Sequence, residues 1–302
     1  MRAAVFDRYG PPEVLRIAEL SDPAPGPGQV RIRVRAAGVQ PFDVAVREGW
    51  MRRGPGHFPH QVGQEFSGVV DLLGEGVTGP GPGTAVLGST MMNGQATHVV
   101  APAADLVAKP PELSFPAAAA LVAAGQTASG ALAQLAVTAG DVLLVHGAAG
   151  SVGTLAVQLA RLAGATVIGT ASPANHGYLR ELGAVPVAYG DGLVEAVRVA
   201  ATGPVTVALD AAGRGAVAAS VELGVPRERV GTLVDDKEAA EFGTPVVRAP
   251  RSPVRLAEVV ALAARGLLTM PVRAYPLAQA AEAHAVVQAG HGRGKVVLIV
   301  EP

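Results

Sequence analysis

Three glycines, Gly147, Gly150 and Gly153, follow the apolar run Val142-Leu143-Leu144-Val145 and precede Leu155, Val157, Leu159 and Leu162, which recur among alanines with helical spacing. A strand, a tight glycine turn and a helix in that order build a site for a dinucleotide pyrophosphate. The absent side chains let the backbone approach the phosphates, and the helix N-terminus offers unpaired N–H groups and the positive end of its dipole. The candidate contacts are Ala149, Gly150, Ser151, Val152 and Gly153. The spacing is G-x-x-G-x-x-G rather than G-x-G-x-x-G, so the flanking strand and helix carry the assignment. The competing reading is a glycine-rich turn with no ligand.

The strand after the glycine helix ends where a dinucleotide's adenosine ribose would lie. An acid there binds a 2′-hydroxyl and repels a 2′-phosphate. Here the chain runs Ala171-Ser172-Pro173-Ala174-Asn175-His176, with no acid. Ser172 and Asn175 can donate hydrogen bonds to a phosphate, and His176 or Arg180 adds charge. This loop points to NADPH.

Composition narrows the remaining classes. The chain has no cysteine, which removes disulfides, thiolate metal ligands and a cysteine nucleophile. A formal net charge of -1 gives no reason to expect a nucleic-acid or acidic-membrane partner. The opening MRAAVFDRYG lacks a signal-peptide core, and the apolar run Ala117 to Ala124 is too short to span a bilayer before Gly125. A soluble cytoplasmic chain with no membrane partner is the expectation. At 302 residues and 49% hydrophobic content, it can bury two cores.

The elements that must position these residues fall into two textures. Up to about residue 112 the pattern is β-rich. Val30, Ile32 and Val34 alternate with Arg31, Arg33 and Arg35, Phe66 to Leu73 reads as a strand, and Ala85 to Leu87 and Ala96 to Ala101 add short ones. A helix is expected from Ser114, as N-cap, to Ala124. Thereafter strands and helices alternate: 142–145, 151–163, 166–170, 178–182, 185–188, 193–201, 205–209, 216–223 and 229–234. Such βαβ repetition predicts an α/β fold with a doubly wound parallel sheet. A helix over 255–265, another over 280–288 and a strand over 295–300 close the chain.

An ordered series of motifs then resembles a known family. Gly38-Val39-Gln40-Pro41-Phe42-Asp43 with Arg47-Glu48-Gly49, Phe58-Pro59 with Gly63-Gln64-Glu65-Phe66-Ser67-Gly68, and Asn93-Gly94-Gln95-Ala96-Thr97-His98 occur in its order. Leu113-Ser114-Phe115, Gly125-Gln126-Thr127-Ala128, the glycine loop, Leu182-Gly183-Ala184 and Gly294-Lys295-Val296-Val297-Leu298 continue it over nearly the whole chain. The series is similar to the zinc-free branch of the medium-chain dehydrogenase/reductases, the quinone oxidoreductases. The resemblance implies a Rossmann doubly wound sheet over 113–271 and a β-rich GroES-like catalytic domain over 1–112 with 272–302. It implies cofactor contacts at Thr127 and Lys295, a Tyr189 contact with the cofactor's phosphate, and a homodimer. Tyr189 could equally be an ordinary tyrosine at a strand end, and Lys295 a solvated charge beside the last strand.

Zinc-dependent relatives use a cysteine and a G-H-E histidine as ligands, whereas this chain has Gln64 in the histidine's place and no cysteine. A catalytic zinc needs three protein ligands and an open position. His57, His60 and Glu65 are the conceivable alternative set, and an H-x-x-H in a Gly/Pro loop is more often solvated. The chemistry expected is hydride transfer from NADPH to a quinone or an α,β-unsaturated carbonyl, with the protein stabilising the oxyanion that forms. Gln40 stands where relatives have asparagine, reaching the nicotinamide ribose or the substrate oxygen. Asp43 and Arg47 read as a local ion pair. Trp50 is either a flat wall for a planar substrate or a core residue. An enoyl-thioester reductase and a non-catalytic NADPH-binding redox sensor are the competing functions.

Overall fold

The structure, a computed structural model, describes residues 1–51, 58–290 and 292–301. Two compact units make up the chain. The first holds Met1–Ala123, Arg251–Gly266 and Met270–Pro302; the second holds Ala124–Pro250 and Leu267–Thr269.

The first unit opens with β1 (Arg2–Phe6), β2 (Leu15–Glu19) and β3 (Gln29–Val39), then α1 (Pro41–Glu48). It continues through β4 (His60–Gln61), β5 (Glu65–Leu73), β6 (Ala85–Ser89), β7 (His98–Pro102) and β8 (Val107–Ala108). Helix α2 (Phe115–Gln134) begins in this unit and ends in the other. The second unit alternates β9 (Val142–His146), α3 (Ser151–Leu162), β10 (Thr166–Thr170), α4 (His176–Glu181) and β11 (Val185–Val187). It goes on with α5 (Leu193–Ala200), β12 (Val207–Asp210), α6 (Ala216–Glu222), β13 (Val230–Thr232) and α7 (Asp236–Phe242). The chain then returns to the first unit with α8 (Pro253–Ala264), β14 (Val272–Pro276), α9 (Ala280–Ala289) and β15 (Lys295–Ile299).

In the first unit the larger sheet runs β14-β15-β3-β5-β6-β8, with β7 also paired to β3. The long β3 is its spine. The first part alternates buried and open positions, and its last four residues, Ala36 to Val39, are all buried. The register of β3 against β5 shifts between Arg31 and Ile32 and again between Val34 and Ala36. Bulges of this kind bend a strand and increase its twist. Val30, Ile32, Val34, Phe66, Val70, Val86 and Leu298 fill the core behind it.

The second unit's sheet runs β11-β10-β9-β12-β13, parallel throughout. Every residue of β9 is buried, as expected of a parallel strand covered on both faces. The chain steps from β9 outward to β11, then crosses back to β12. That reversal makes the carboxyl ends of β9 and β12 the topological switch point, where open α/β sheets place ligands.

The unit boundaries differ from the expected 112/113 and 271/272 divisions. Ala119 and Ala120 of α2 pack with Ala36 and Val297 of the first unit's sheet, and α8 packs against β8. Helix α2 is also longer than the expected Ser114–Ala124, passing straight through Gly125. Ser114 does cap it, accepting the Ala117 N–H at 3.3 Å. By length and composition α2 could cross a membrane, but most of it is buried within the protein, so it is read as a core helix.

Asp141 and Arg229 tie the start of β9 to the start of β13. Arg229 Nη1 and Nη2 donate to the two carboxylate oxygens at 2.8 and 3.0 Å, and Thr206 Oγ1 donates at 2.7 Å. These donors hold the Asp141 carboxyl well below the usual aspartate range, the Arg229 bond first among them. A carboxyl depressed in the folded state stabilises above its unfolded pKa and loses that contribution as pH falls through the folded value. Asp141→Asn should therefore lower stability by about 2 kcal/mol at pH 7. The difference from wild type should shrink as pH falls below about 4, read by urea denaturation across pH.

Candidate functional site

The glycine loop sits at the carboxyl end of β9. Gly147 has φ of +73° and donates its N–H to Thr170 Oγ1 at 3.2 Å, while Ala148 N donates to Thr170 O at 3.0 Å. A Cβ on Gly153 would lie 2.3 Å from Gly147 O, whereas one on Gly150 would meet only Gly147 O at 3.4 Å. Gly153 is therefore needed for the turn to close on the helix, and Gly150 leaves its outer face open. Gly150 is the N-cap of α3 without a side-chain cap bond. The N–H groups of Ser151, Val152 and Gly153 open the first helical turn, where no intrahelical acceptor exists. That donor cluster fits a dinucleotide pyrophosphate.

At the end of β10 the structure brings Ser172 and Asn175 together, with Asn175 Nδ2 donating to Ser172 Oγ at 3.2 Å. His176 Nε2 lies 3.2 Å from Ala171 O, so this ring is engaged with the loop backbone. Tyr189 is 56% exposed just beyond β11, a placement open to ligand. Thr127 lies on α2, half-buried. At β12, Asp210 caps the following loop through Ala212 N and Gly213 N, both at 2.7 Å, and accepts from Thr232 Oγ1 at 2.7 Å. His146, buried beside Ser220 Oγ at 3.0 Å, is pushed down to about 4 by burial.

In the first unit the polar residues form a buried network that the sequence did not assemble. Lys295 is 3% exposed and Glu65 fully buried, and they form an ion pair. This overturns the reading of Lys295 as a solvated charge. Glu65 Oε2 also accepts the Ala123 N–H at 2.6 Å, and Ala123 O accepts from Arg251 Nη1 at 3.0 Å. Gly38 makes room: a Cβ there would stand 2.1 Å from Glu65 Oε1.

Asp43 and Arg47 do not pair with each other, contrary to expectation. They are four apart on α1, but each turns to a different set. Arg47 donates to Gly10 O at 3.1 Å, Glu48 Oε1 at 2.5 Å and Gln288 Oε1 at 2.6 Å. Asp43 Oδ2 accepts the Gln40 N–H at 3.0 Å and the Gln95 amide at 3.4 Å. Gln95 in turn reaches Gly38 O at 3.3 Å and, through Oε1, His284 Nε2 at 3.0 Å. Because Gln95 Oε1 only accepts, His284 carries its proton on Nε2, and burial holds its pKa down to about 3. Burial pushes the Asp43 carboxyl up to about 7, opposed by the nearby Lys295 ammonium.

At the edge of this network lie Gln40 and Gln64, both half-buried. Gln40 Nε2 donates to Gln64 Oε1 at 3.0 Å. No sequence signal predicts that pairing, because 24 residues separate the two and only the β3–β5 register joins them. Trp50 is 73% exposed, which removes the core alternative and leaves it a surface side chain after α1. Phe6, Tyr9, Phe58 and His60 form an aromatic cluster, with the Phe58 and His60 rings 4.5 Å apart. His57 lies outside the described residues. Among the described residues no group of three His, Cys, Asp or Glu side chains is placed to hold a metal ion.

Comparison with known proteins agrees with this architecture. The alcohol dehydrogenase GroES-like domain matches residues 26–145, and a zinc-binding dehydrogenase family matches residues 182–298. The quinone oxidoreductase structure from Coxiella burnetii aligns at TM-score 0.89 and 31% identity over 100% of this chain and 99% of that one. Escherichia coli quinone oxidoreductase complexed with NADPH aligns at TM-score 0.88 and 25% identity, over 99% of this chain and 100% of that one. Spectinabilin polyketide synthase system protein NorB of Streptomyces orinoci is 36% identical over 296 residues, 91% of this chain and 13% of that protein. The chain thus spans only a small part of the polyketide synthases it matches.

Asp43 supplies a pH test of the buried network. A carboxyl raised in the folded state is protonated there more than in the unfolded chain, so stability falls as pH rises from the unfolded pKa of about 4 to the folded value, and is flat above it. The wild-type unfolding free energy minus that of Asp43→Asn should decline across pH 4 to about 7, as read by guanidinium titrations.

Proposed function

This chain belongs to the medium-chain dehydrogenase/reductase family, of quinone oxidoreductase type, and from that premise we propose that it is an NADPH-dependent, zinc-independent reductase of quinones or α,β-unsaturated carbonyls. The observation that carries the cofactor reading is the acid-free loop after β10, where Ser172 Oγ and Asn175 Nδ2 lie 3.2 Å apart. Hydroxyl and amide donors suit a 2′-phosphate, and no carboxylate is there to repel it. The E. coli relative complexed with NADPH supports the same choice.

Bound NADPH would supply the hydride, and this chain's residues would do the rest. The backbone N–H groups of Ser151, Val152 and Gly153 would hold the pyrophosphate against the helix dipole, with Ala149 and Gly150 lining the turn. Ser172, Asn175 and the exposed Tyr189 would hold the 2′-phosphate. Lys295, buried against Glu65, would act from the last strand by its charge, and Thr127 from α2. Gln40 would orient the substrate oxygen by hydrogen bonding, and Trp50 would offer a flat apolar wall to a planar substrate. The protein is proposed to act as a homodimer on a small-molecule substrate.

A second reading, enoyl-thioester reduction, is favoured by the polyketide synthase relative, which aligns across 91% of this chain. Both readings use the same hydride acceptor, a carbon conjugated to a carbonyl. A panel of quinones, simple enones and an enoyl-CoA, followed by NADPH oxidation, separates them. Turnover of quinones or enones, and none of the thioester, is the expected outcome. Turnover of the thioester alone would replace the first reading with the second.

The loop after β10 gives a sharper test. Ser172→Asp places a carboxylate where the 2′-phosphate would lie. NADPH affinity should fall by about tenfold or more, the worth of 1.4 kcal/mol, while NADH affinity holds. Fluorescence titration of both cofactors would measure it, and equal losses for the two would refute the assignment.

A further inference from the structure

The buried network of the first unit reaches solvent at its amide end. Asp43, Glu65, Gln95, His284 and Lys295 are all at or below 3% exposure, whereas Gln40 and Gln64 are half-buried. Each side-chain amide carries two N–H groups. One of the four is spent on the Gln40–Gln64 bond, whichever amide donates it, so three remain. Gln64 Nε2 has no partner among the described residues, and it is not one of the buried unpartnered polar atoms. It is therefore open to solvent.

The geometry suits a single oxygen. Carbonyl and amide bonds of about 1.2 and 1.3 Å place a glutamine's own nitrogen roughly 2.2 Å from its oxygen. With Gln40 Nε2 at 3.0 Å from Gln64 Oε1, the two amide nitrogens are at most about 5.2 Å apart. One oxygen can then lie within about 3 Å of both.

We propose that Gln64 is a catalytic residue, forming with Gln40 a two-amide cradle that donates N–H bonds to the carbonyl oxygen of the substrate as negative charge develops there. This rests on the reductase reading above. When a hydride joins the β-carbon of an enone, its C–H bond forms with both electrons from the reduced nicotinamide. The carbon–carbon π pair shifts toward the carbonyl, and the carbonyl π pair moves onto oxygen as an enolate. A solvent proton then adds at the α-carbon. A quinone that takes the hydride on a ring carbon forms the corresponding enolate by the same shift. It becomes the hydroquinone anion when that carbon gives up its proton to solvent and the remaining carbonyl oxygen takes one. The cradle bonds the oxygen most strongly once it is charged, which is the condition for lowering the barrier rather than only binding substrate.

The surroundings are consistent with an anionic product. The buried Glu65 carboxylate is paired with Lys295. Burial raises the Asp43 carboxyl to about 7, which disfavours its charged form. The groups facing Asp43 are Lys295 of β15, Glu65 of β5, the Gln40 and Gly63 N–H groups and Gln95. Little net negative charge therefore lies beneath the amides.

The test uses the full chain, Gln64→Met (same reach, no amide) and Gln64→Glu (same shape, an acceptor in place of the donors). Steady-state rates with NADPH and either 1,4-benzoquinone or 2-cyclohexenone are paired with NADPH titration, melting temperature and the affinity of 4-nitrophenolate as an anionic mimic. Loss of one oxyanion donor typically costs about 100-fold in kcat. The expected result is a fall of that order in both variants, with KM and the NADPH dissociation constant within about threefold and melting temperature little changed. Phenolate affinity should drop about tenfold or more in both, which a purely structural role for Gln64 would not produce. Rates and phenolate affinity within threefold of wild type would overturn the cradle and leave the reductase reading intact. Wild-type inactivity toward every quinone and enone would overturn that reading and the cradle with it.

Discussion

Burying the Glu65 carboxylate dictates much of the first unit. An isolated charge in a protein interior is too costly to keep, so it must be paired and hydrogen-bonded. Three separated segments meet that demand. Lys295 arrives on the last strand, Ala123 offers an N–H from α2, and Gly38 gives up its Cβ so that the side chain can cross β3. Replacing Lys295 leaves a buried unpaired ion, a penalty of several kcal/mol, and a side chain at Gly38 clashes with the carboxylate. The order of residues in the G-Q-E, A-A-G and G-K segments thus has a common cause. They are neighbours in space because one carboxylate needs all of them.

The second unit solves a different electrostatic problem at its switch point. Its glycine loop gathers backbone donors rather than side-chain cations, and the parallel sheet aims the α3 N-terminus at the same place. Asp210, at the next strand end, is consumed by its own loop, so it leaves the switch point without a free carboxylate. The acid-free turn after β10 extends that condition to the ribose position. Under the proposed function, a polyanionic cofactor would therefore meet dipoles and neutral donors along this edge. Preorganised donors of this type need no counter-charge to be desolvated when the ligand arrives.

Much of this was legible along the chain because it is local. The period-two pattern of β3, the continuous apolar run of β9 and the Gly147–Gly153 turn are each set within about ten residues, and their elements lie where the pattern puts them. The local pattern supports a helix only from Ser114 to Ala124, whereas α2 runs on through Gly125 to Gln134, carried by burial. The polar site was illegible for the opposite reason. Asp43 and Arg47 have the spacing of a helical ion pair, yet the partners that capture them, Gln95 and Gln288, are far off in sequence. Burial also decides Lys295, which composition alone leaves as a surface charge beside a terminal strand. A sequence window sees propensity and period; it does not see which polar groups must satisfy one another after the sheet has closed.

The two glutamines show what that closure can create. Each amide alone is an ordinary, mobile polar side chain whose donors water satisfies equally well. Bonding them to each other spends one donor and fixes two planes, so the cost of ordering is met during folding rather than during the reaction. The Gln40 backbone is itself held by Asp43 at the start of α1, and the Gln64 backbone by Thr90 N at 2.9 Å. Both members of the pair are consequently held by their backbones, beside the network whose charge Glu65 and Lys295 have already balanced. In the proposed reaction, neutral donors on such a base would favour charge arriving at a substrate oxygen while making no strong demand on a neutral carbonyl. That asymmetry is what hydride transfer to a conjugated acceptor requires of a protein that leaves the difficult bond chemistry to its cofactor.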